Sequence, residues 1–184
     1  MLARITHGGK TSHMKISTTR ADITTRHVDA IVNAANATLR AGGGVCGAIH
    51  KAAGRELAAA CALIGGCPTG EARITPGFAL PATYVIHAVG PVWRGGTEGE
   101  AALLAGAYRS ALTLARDHRC RSIAFPAIST GIYGYPLVEA TETAVATVRG
   151  FAGEADGLEV VEFVCFGEEA LNAYRSALAP GAAS

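Results

Sequence analysis

The segment from Val32 to His50 carries the residues best suited to hold a phosphorylated ligand. A short apolar run ends in two asparagines, Asn33 and Asn36, and three consecutive glycines, Gly42–Gly44, precede a helical pattern. Glycines that lead into a helix N-terminus let bare backbone N–H groups surround a phosphate, and an asparagine amide can bond sugar hydroxyls as donor or acceptor. A flexible loop with asparagine turns is the alternative. The order of strand, asparagines, glycines and helix favours the phosphate site.

Two further segments follow predicted strands with chemically useful side chains. Asp22, within Ala21–Thr25, has a carboxylate that can accept from an exocyclic amine such as that of adenine, although aspartate alone at such a place favours a turn role. The segment Ser122–Pro136 offers small and hydroxyl side chains, and its Tyr133 can stack on a sugar, close a lid or serve as a turn residue. Two glycine-rich loops after strands therefore predict a nucleotide-diphosphate pocket without a metal cluster.

Alternating strand and helix patterns must hold these loops together. Because strands and helices alternate, we expect a layered α/β domain, whose ligands lie at the carboxyl ends of its strands. The early strands are too closely spaced for every crossover to hold a helix, which predicts a mixed sheet. Strands are predicted at Met14–Thr18, Asp29–Asn33, Ala72–Thr75, Thr83–Val89, Ser122–Phe125 and Leu158–Phe166, and helices at Val45–Gly65 (broken near Gly54), Ala101–His118, Leu137–Val148 and Glu168–Leu178.

Composition excludes several functional classes. The 184 residues carry 16 basic and 15 acidic side chains without a basic stripe, which argues against general nucleic-acid binding. Five cysteines without C-x-x-C spacing argue against zinc sites and a disulfide framework, so we expect the reducing cytoplasm. No secretory signal is evident, and no apolar run reaches the ~18 residues that a membrane span needs.

Five stretches, in this order and spacing, resemble the macrodomain family: ADITTRHVDAIVNAAN, GGGVCGAIHKAAG, CPTGEARIT, YVIHAVGPVWRGG and SIAFPAISTGIYGYP. They are most similar to its bacterial and mitochondrial branch, which removes ADP-ribose from proteins and deacetylates O-acetyl-ADP-ribose. The resemblance implies a three-layer α/β/α macrodomain at residues 14–178, with a central mixed sheet of about six or seven strands. Residues 1–13 would form an edge strand or tail, and residues 179–184 a C-terminal tail.

The resemblance also implies an ADP-ribose site, with no metal and no cofactor besides this ligand or product. Asp22 would bind the adenine amine, Ile23 would meet adenine through its backbone, and Phe166 would lie against the ring. Asn36 would hold the distal ribose, and Asn33 would brace the loop. The two phosphate loops would consist of Gly43, Gly44 and Val45, and of Ser129, Thr130, Gly131, Ile132 and Tyr133, the last beside the distal ribose.

Cys46 is the departure with the largest consequence for mechanism. The branch has GGGVDG, and its aspartate is thought to activate or position the attacking water, whereas this chain has GGGVCG. Loss of a general base typically costs ~10²–10⁴-fold in rate. Three mechanisms remain open: hydrolysis assisted by the substrate's phosphate and Asn36, binding without turnover, and attack by a Cys46 thiolate with a pKa lowered by the helix N-terminus. We rank them in that order and expect the Cys46 side chain itself to be a small packed thiol.

The sequence thus predicts an ADP-ribose-binding hydrolase whose catalytic residues are Asn36 and Cys46, the latter at the position of the usual aspartate. Its substrates would be protein carboxylates carrying mono-ADP-ribose, O-acetyl-ADP-ribose, or both, and the alternative is a non-catalytic reader module. The expected partners are ADP-ribose and ADP-ribosylated proteins, with nucleic acid only as an ADP-ribosylated end. His87, in the middle of a predicted strand, is expected to be a core histidine with its hydrogen bonds satisfied.

Overall fold

The computed structural model describes residues 13–181, which form six β-strands and five α-helices. The tails predicted at residues 1–13 and 179–184 lie largely outside this range. The strands are β1 (Lys15–Arg20), β2 (Ala30–Ala34), β3 (Ala72–Pro76), β4 (Tyr84–Ala88), β5 (Ser122–Phe125) and β6 (Val160–Cys165). The helices are α1 (Gly44–Ala53), α2 (Arg55–Ile64), α3 (Glu100–Asp117), α4 (Leu137–Phe151) and α5 (Glu168–Leu178).

The strands form one mixed sheet in the order β1-β6-β5-β2-β4-β3. Every neighbouring pair is parallel except β3 with β4. The sheet is mixed, as predicted. The closely spaced β1 and β2 are not neighbours, because β6 and β5 lie between them. The antiparallel pair is β3 with β4 at the opposite edge, where the link 77–83 is too short for the helical crossover that a parallel pair needs.

Helices cover both faces of the sheet and create the three layers. On one face, Ile31, Val85 and Ala124 pack with Ile49 of α1 and Leu57 of α2. The other face packs against α3, α4 and α5. Its buried side chains include Val32, Ile86, Phe125 and Phe163 from the strands, and Leu104, Tyr108, Val145 and Tyr174 from the helices. Because β2 and β5 are buried on both faces, their sequences are short apolar runs rather than alternating patterns.

Local signals in the sequence explain the main helix boundaries. The predicted interruption near Gly54 separates α1 from α2, and Gly54 has φ 92°, a left-handed value that glycine adopts without steric cost. Pro136 precedes α4, where its missing N–H costs no helical hydrogen bond. A 3₁₀ turn at Ile23–Thr25 was not predicted. No helix within residues 13–181 is long and apolar enough to cross a membrane.

The topology creates a crevice between β2 and β5. The helix after β2 lies on one face of the sheet, whereas the helices after β5 and β6 lie on the other. The chain therefore departs in opposite directions from two neighbouring parallel strands, and open α/β sheets bind ligands at such a switch point.

Candidate functional site

A cleft of about 590 Å³ opens at the carboxyl ends of β2, β5 and β6. This volume lies within the range of ~300–1,000 Å³ that small-molecule sites occupy. Every residue that the sequence analysis placed at the ligand, from Asp22 to Phe166, lines this cleft. Their individual roles in binding stay predictions. The lining residues are Ala21–Ile23, Ala34–Asn36, Gly42–Cys46, Ala48, Gly90, Pro126–Tyr133, Val164–Gly167 and Ala170.

The first glycine loop ends at a helix N-terminus that opens into the cleft. Helix α1 starts at Gly44, and its N-cap residue, Gly43, provides no side-chain hydrogen bond. The first N–H groups of α1 therefore have no intrahelical partner, and together with the helix dipole they favour an anion. Gly44 has φ +57°, a left-handed conformation that favours glycine. A Cβ added to Gly43 would lie 3.4 Å from Cδ1 of Ile132, so the two loops approach each other across the cleft.

The second loop is a tight turn with a buried hydroxyl. Ser129 has φ 69°, its Oγ is buried, and this oxygen has no hydrogen-bond partner within residues 13–181. A non-glycine residue held in this region stores strain, which structures tolerate mainly at functional sites. The backbone oxygen of Ser129 accepts from the N–H of Tyr135 at 2.9 Å, and the Thr130 hydroxyl donates to the backbone oxygen of Ala127 at 2.8 Å. The loop thus presents a fixed shape to the cleft.

A buried pair of tyrosines supports the start of this second loop. The hydroxyl of Tyr108 lies 3.3 Å from both the Pro126 carbonyl, to which it donates, and the Ile128 N–H, from which it accepts. The Tyr174 hydroxyl lies 3.2 Å from it. Since the single Tyr108 proton is used by Pro126, Tyr174 is the donor in this pair. Burial raises the pKa of Tyr108 to about 12, so its hydroxyl stays protonated.

We expect Tyr108→Phe to lower the free energy of unfolding by about 1–3 kcal/mol, because it leaves the buried Ile128 N–H and Tyr174 hydroxyl without their partner. Urea unfolding measures this change. Tyr84→Phe is the matched control: the Tyr84 hydroxyl makes no hydrogen bond in the described part of the chain, so its loss should stay within about 0.5 kcal/mol. Equal losses of stability for the two substitutions would contradict the role of the Tyr108 hydroxyl in supporting the second loop.

The amide of Asn36 is largely used by its own loop. Its Oδ1 accepts from the Thr38 hydroxyl at 2.8 Å and from the Arg40 N–H at 3.1 Å, and its Nδ2 donates to the Arg40 carbonyl at 2.8 Å. An asparagine amide has two N–H donors, so one remains available to a ligand. Asn36 can therefore donate to a sugar hydroxyl, but both acceptor positions of its oxygen are occupied.

The end of the cleft predicted to hold adenine combines a capping carboxylate with an exposed aromatic ring. Oδ1 of Asp22 accepts from the N–H and the hydroxyl of Thr24, at 2.9 and 2.7 Å, so the turn role is present. Oδ2 has no hydrogen-bond partner among residues 13–181 and is free to accept. Ile23 is buried beside it, whereas Phe166 is 94% exposed at the end of β6. Such an exposed ring offers a face to a flat base.

Cys46 is a buried thiol in the wall of the cleft. Its Sγ lies 3.7 Å from the Arg40 carbonyl, to which it donates, and 3.7 Å from Nδ2 of Asn33, from which it accepts. His50 is one helical turn further and makes no hydrogen bond to it; burial lowers the pKa of His50. Within residues 13–181, therefore, no base lies within hydrogen-bond reach to activate the thiol as a nucleophile.

His87 is a core histidine with both ring nitrogens bonded, as the sequence analysis predicted. It is fully buried, with Nδ1 3.1 Å from Nδ2 of Asn33 and Nε2 3.0 Å from the Thr75 hydroxyl. Burial, and secondarily the nearby His50, lower the pKa of His87 to about 4, so the ring is neutral at physiological pH.

Sequence analysis missed the apolar and small parts of the lining. Ile128, Val164 and Ala170 lie in the turn after β5, in β6 and in α5, and the sequence analysis gave them no role at the ligand. Gly90 could have been found, because it directly follows the strong strand β4. A Cβ at Gly90 would lie 2.2 Å from Oγ of Ser129, so only glycine leaves room for the second loop. Residues 13–181 contain no cluster of three or more His, Cys, Asp or Glu that could hold a metal ion.

A mixed α/β/α sandwich with two glycine-rich loops at its switch point is the architecture of a macrodomain. The profile of the Macro domain family matches residues 32–144, and the chain belongs to this family. It is 59% identical over 162 residues to a Macro domain-containing protein of Chlorobaculum tepidum, covering 88% of this chain and 94% of that protein. It is 57% identical over 162 residues to an O-acetyl-ADP-ribose deacetylase of Klebsiella pneumoniae, covering 86% and 93%.

Solved structures with the same fold come from distant organisms. The Oceanobacillus iheyensis macrodomain with ADP has a TM-score of 0.83 at 44% identity and covers 88% of each chain. The Trypanosoma brucei macrodomain in complex with ADP-ribose has a TM-score of 0.83 at 44% identity, covering 89% of this chain and 69% of that one.

Proposed function

We propose that this chain binds ADP-ribose in the cleft and hydrolyses its esters. The substrates are protein carboxylates carrying mono-ADP-ribose, O-acetyl-ADP-ribose, or both. Adenine lies against Phe166 with its amine toward Asp22, the diphosphate lies between the two loops, and the distal ribose lies toward Asn36 and Tyr133. The similarity to a deacetylase of O-acetyl-ADP-ribose and to a macrodomain in complex with ADP-ribose supports this assignment.

The observation that carries the proposal is the pairing of the α1 N-terminus with the Ser129–Tyr133 turn across the cleft. The α1 N-terminus supplies backbone donors without a lysine or arginine. In the facing turn, the N–H groups of Gly131, Ile132 and Tyr133 have no backbone acceptor within residues 13–181. The two loops come close together where Gly43 faces Cδ1 of Ile132. Backbone donors converging from two sides suit a diphosphate, which carries charge on both of its phosphoryl groups.

Hydrolysis in this cleft needs no protein carboxylate as base. Among the described residues that line the cleft, Asp22 is the sole acid, and it lies at the end proposed for adenine. We assign the proton of the attacking water to a phosphate oxygen of the substrate, with Asn36 and the loop backbone holding ribose and diphosphate in place. For a protein ester, the water oxygen bonds to C1″ while the bond from C1″ to the carboxylate breaks. For the acetyl ester, water adds to the acetyl carbonyl, the bond from that carbon to the ribose oxygen breaks, and the ribose oxygen takes up the proton, so that acetate and ADP-ribose are released.

A reader module is the second candidate, and the environment of Cys46 favours it. The position where the resemblance expects an aspartate holds a thiol already bonded to Asn33 and Arg40. Such a cleft keeps all the features needed to bind ADP-ribose and lacks the evident general base. The two candidates share the ligand and differ only in turnover.

Three measurements separate these functions. Calorimetry with ADP-ribose tests binding, and release of label from an Asp/Glu-mono-ADP-ribosylated protein, together with release of acetate from O-acetyl-ADP-ribose, tests hydrolysis. We expect ADP-ribose to bind, and at least one of the two substrates to be hydrolysed, with release of label or of acetate. Binding with both substrates intact at high protein concentration would establish the reader, and absence of binding would overturn both candidates.

Cys46→Asp should keep or raise the turnover, by up to ~10²-fold, because it places a general base at the distal end of the cleft. The gain in turnover is limited because the Arg40 carbonyl, which accepts from the Cys46 thiol in the wild type, would face a carboxylate in the variant. Single-turnover rates on either substrate measure the effect. Cys46→Asn is the control, with similar shape and no base. Equal rates for the Asp and Asn variants would show that a base at this position contributes nothing.

A further inference from the structure

A chain of buried polar contacts connects the middle of the sheet to the cleft. It begins at Thr75 on β3, passes through His87 on β4 and Asn33 on β2, and reaches Cys46 on α1. The thiol then donates to the Arg40 carbonyl, which also accepts from Nδ2 of Asn36 at 2.8 Å. The buried histidine is thus linked, contact by contact, to the residue proposed to hold the distal ribose.

The contacts of Asn33 define the tautomer of His87. Nδ2 of Asn33 lies between Sγ of Cys46 and Nδ1 of His87. If Asn33 donates to both, Nδ1 is an acceptor, and the histidine proton is on Nε2, where it donates to Thr75. In this orientation the only buried amide atom of Asn33 without a partner among residues 13–181 is its oxygen, Oδ1. With the amide reversed, its two N–H groups would instead be buried without partners. Since an orphaned donor pair costs more than an under-used acceptor, the Nε2–H tautomer is favoured.

We propose that His87 is a positioning residue: as its Nε2–H tautomer it orients Asn33, and through Asn33 and Cys46 it fixes the Arg40 carbonyl that holds Asn36. Its effect on ligand affinity and turnover rests on the proposed function, whereas its effect on the Asn36 amide does not. Residues in the core of the sheet would then set how accurately the first loop presents its free Asn36 N–H. The Cys46 contacts are the weakest links, because thiols are poor donors and acceptors.

A matched pair of substitutions at His87 isolates the contact that matters. His87→Asn places an amide oxygen near the position of Nδ1 and can still accept from Asn33. His87→Gln retains a donor toward Thr75 but offers no acceptor to Asn33. We expect His87→Gln to lower ADP-ribose affinity about 3- to 10-fold, the equivalent of one hydrogen bond, and His87→Asn to restore most of that loss.

A double-mutant cycle tests whether the effect passes through Cys46. In a Cys46→Ala background the chain is already broken, so His87→Gln should change affinity less than about 2-fold further. Independent, multiplying effects would overturn the proposal. Val148→Ala, a fully buried position on the other face of the sheet, controls for general destabilisation and should leave affinity unchanged.

Nuclear magnetic resonance of the free protein tests the proposal without a ligand. The ¹⁵N shifts of the His87 ring should show a protonated Nε2 and an unprotonated Nδ1, and His87→Gln should shift the Asn36 side-chain amide resonances whereas Val148→Ala should not. A protonated Nδ1, or an Asn36 amide unmoved by His87→Gln, would overturn the proposal. If the wild-type protein failed to bind ADP-ribose, the proposed function would fall, and these spectra would still decide the role of His87.

Discussion

Gly47→Ala should lower both the stability of the protein and its affinity for ADP-ribose, although alanine is normally the better helix residue. Gly47 lies in the first turn of α1, and a Cβ there would lie 2.5 Å from the backbone oxygen of Gly42. A backbone atom cannot rotate away as a side chain can, so the loop or the helix must move. Overpacking of this kind costs about 1–3 kcal/mol, more than the ~1 kcal/mol that alanine contributes to a helix.

The displaced atoms belong to the first glycine loop, so we expect the substitution to weaken ligand binding as well as stability. Gly42, Gly43 and Gly44 line the cleft, and a shift of several tenths of an ångström misplaces the backbone donors that would hold the diphosphate. We expect at least a ~10-fold weaker affinity for ADP-ribose, which corresponds to about 1.4 kcal/mol. Calorimetry and urea unfolding on the same preparation measure both effects.

Two other helical glycines provide matched controls. A Cβ at Gly106 in α3 would lie 2.9 Å from the backbone oxygen of Gly70, away from the cleft, so Gly106→Ala should destabilise without weakening binding. Gly150 in α4 has nothing within 4 Å of an added Cβ, so Gly150→Ala should stabilise by about 0.5–1 kcal/mol. If Gly47→Ala stabilised the protein as Gly150→Ala is expected to, the close contact between α1 and the Gly42 backbone would be contradicted.

Asn36→Ala should lower the rate of hydrolysis by ~10²–10³-fold, to a level at which turnover is no longer measurable. Removal of a single positioned hydrogen-bond donor has an effect of this size on kcat. The substitution removes the free N–H that would face the distal ribose in the proposed binding mode. It also removes the three hydrogen bonds that join Asn36 to Thr38 and Arg40, so the loop loses its internal support. Single-turnover hydrolysis with saturating enzyme separates this loss from weaker binding.

Asn36→Asp distinguishes the two parts of the effect. A carboxylate still accepts from the Thr38 hydroxyl and the Arg40 N–H, but it has no N–H for the Arg40 carbonyl or for the ligand. The loop therefore keeps two of its three hydrogen bonds to Asn36, while the ligand contact is lost. We expect Asn36→Asp to be nearly as inactive as Asn36→Ala and closer to the wild type in stability. If Asn36→Ala stayed active while Cys46→Ala became inert, the thiolate mechanism would replace hydrolysis assisted by the substrate.

Sequence patterns located the first loop because its signals are local. A buried strand, two asparagines, three glycines and a helix follow one another between Val32 and His50, and each is recognisable from residue type alone. The same holds for the break at Gly54 and for the long helix α3, whose predicted and observed ends differ by one residue. Strand pairing is not local, because partners lie far apart in the chain. The close spacing of strands predicts a mixed sheet, but only the structure identifies β3 and β4 as the antiparallel pair.

The sequence by itself determined the loops, the helix N-terminus and the thiol at Cys46, because these depend on which residue follows which. Only the tertiary structure decided what each side chain bonds. It showed that Asn36 has one free N–H, that Cys46 has no base within reach, and that Asn33 connects a thiol to a buried histidine. The contacts of Asn33 and His87 join β2, β3, β4 and α1, because the packed sheet brings His87 within hydrogen-bond distance of Thr75 and Asn33. The contacts of Asn36 stay within its own loop, and the folded shape of that loop decides them.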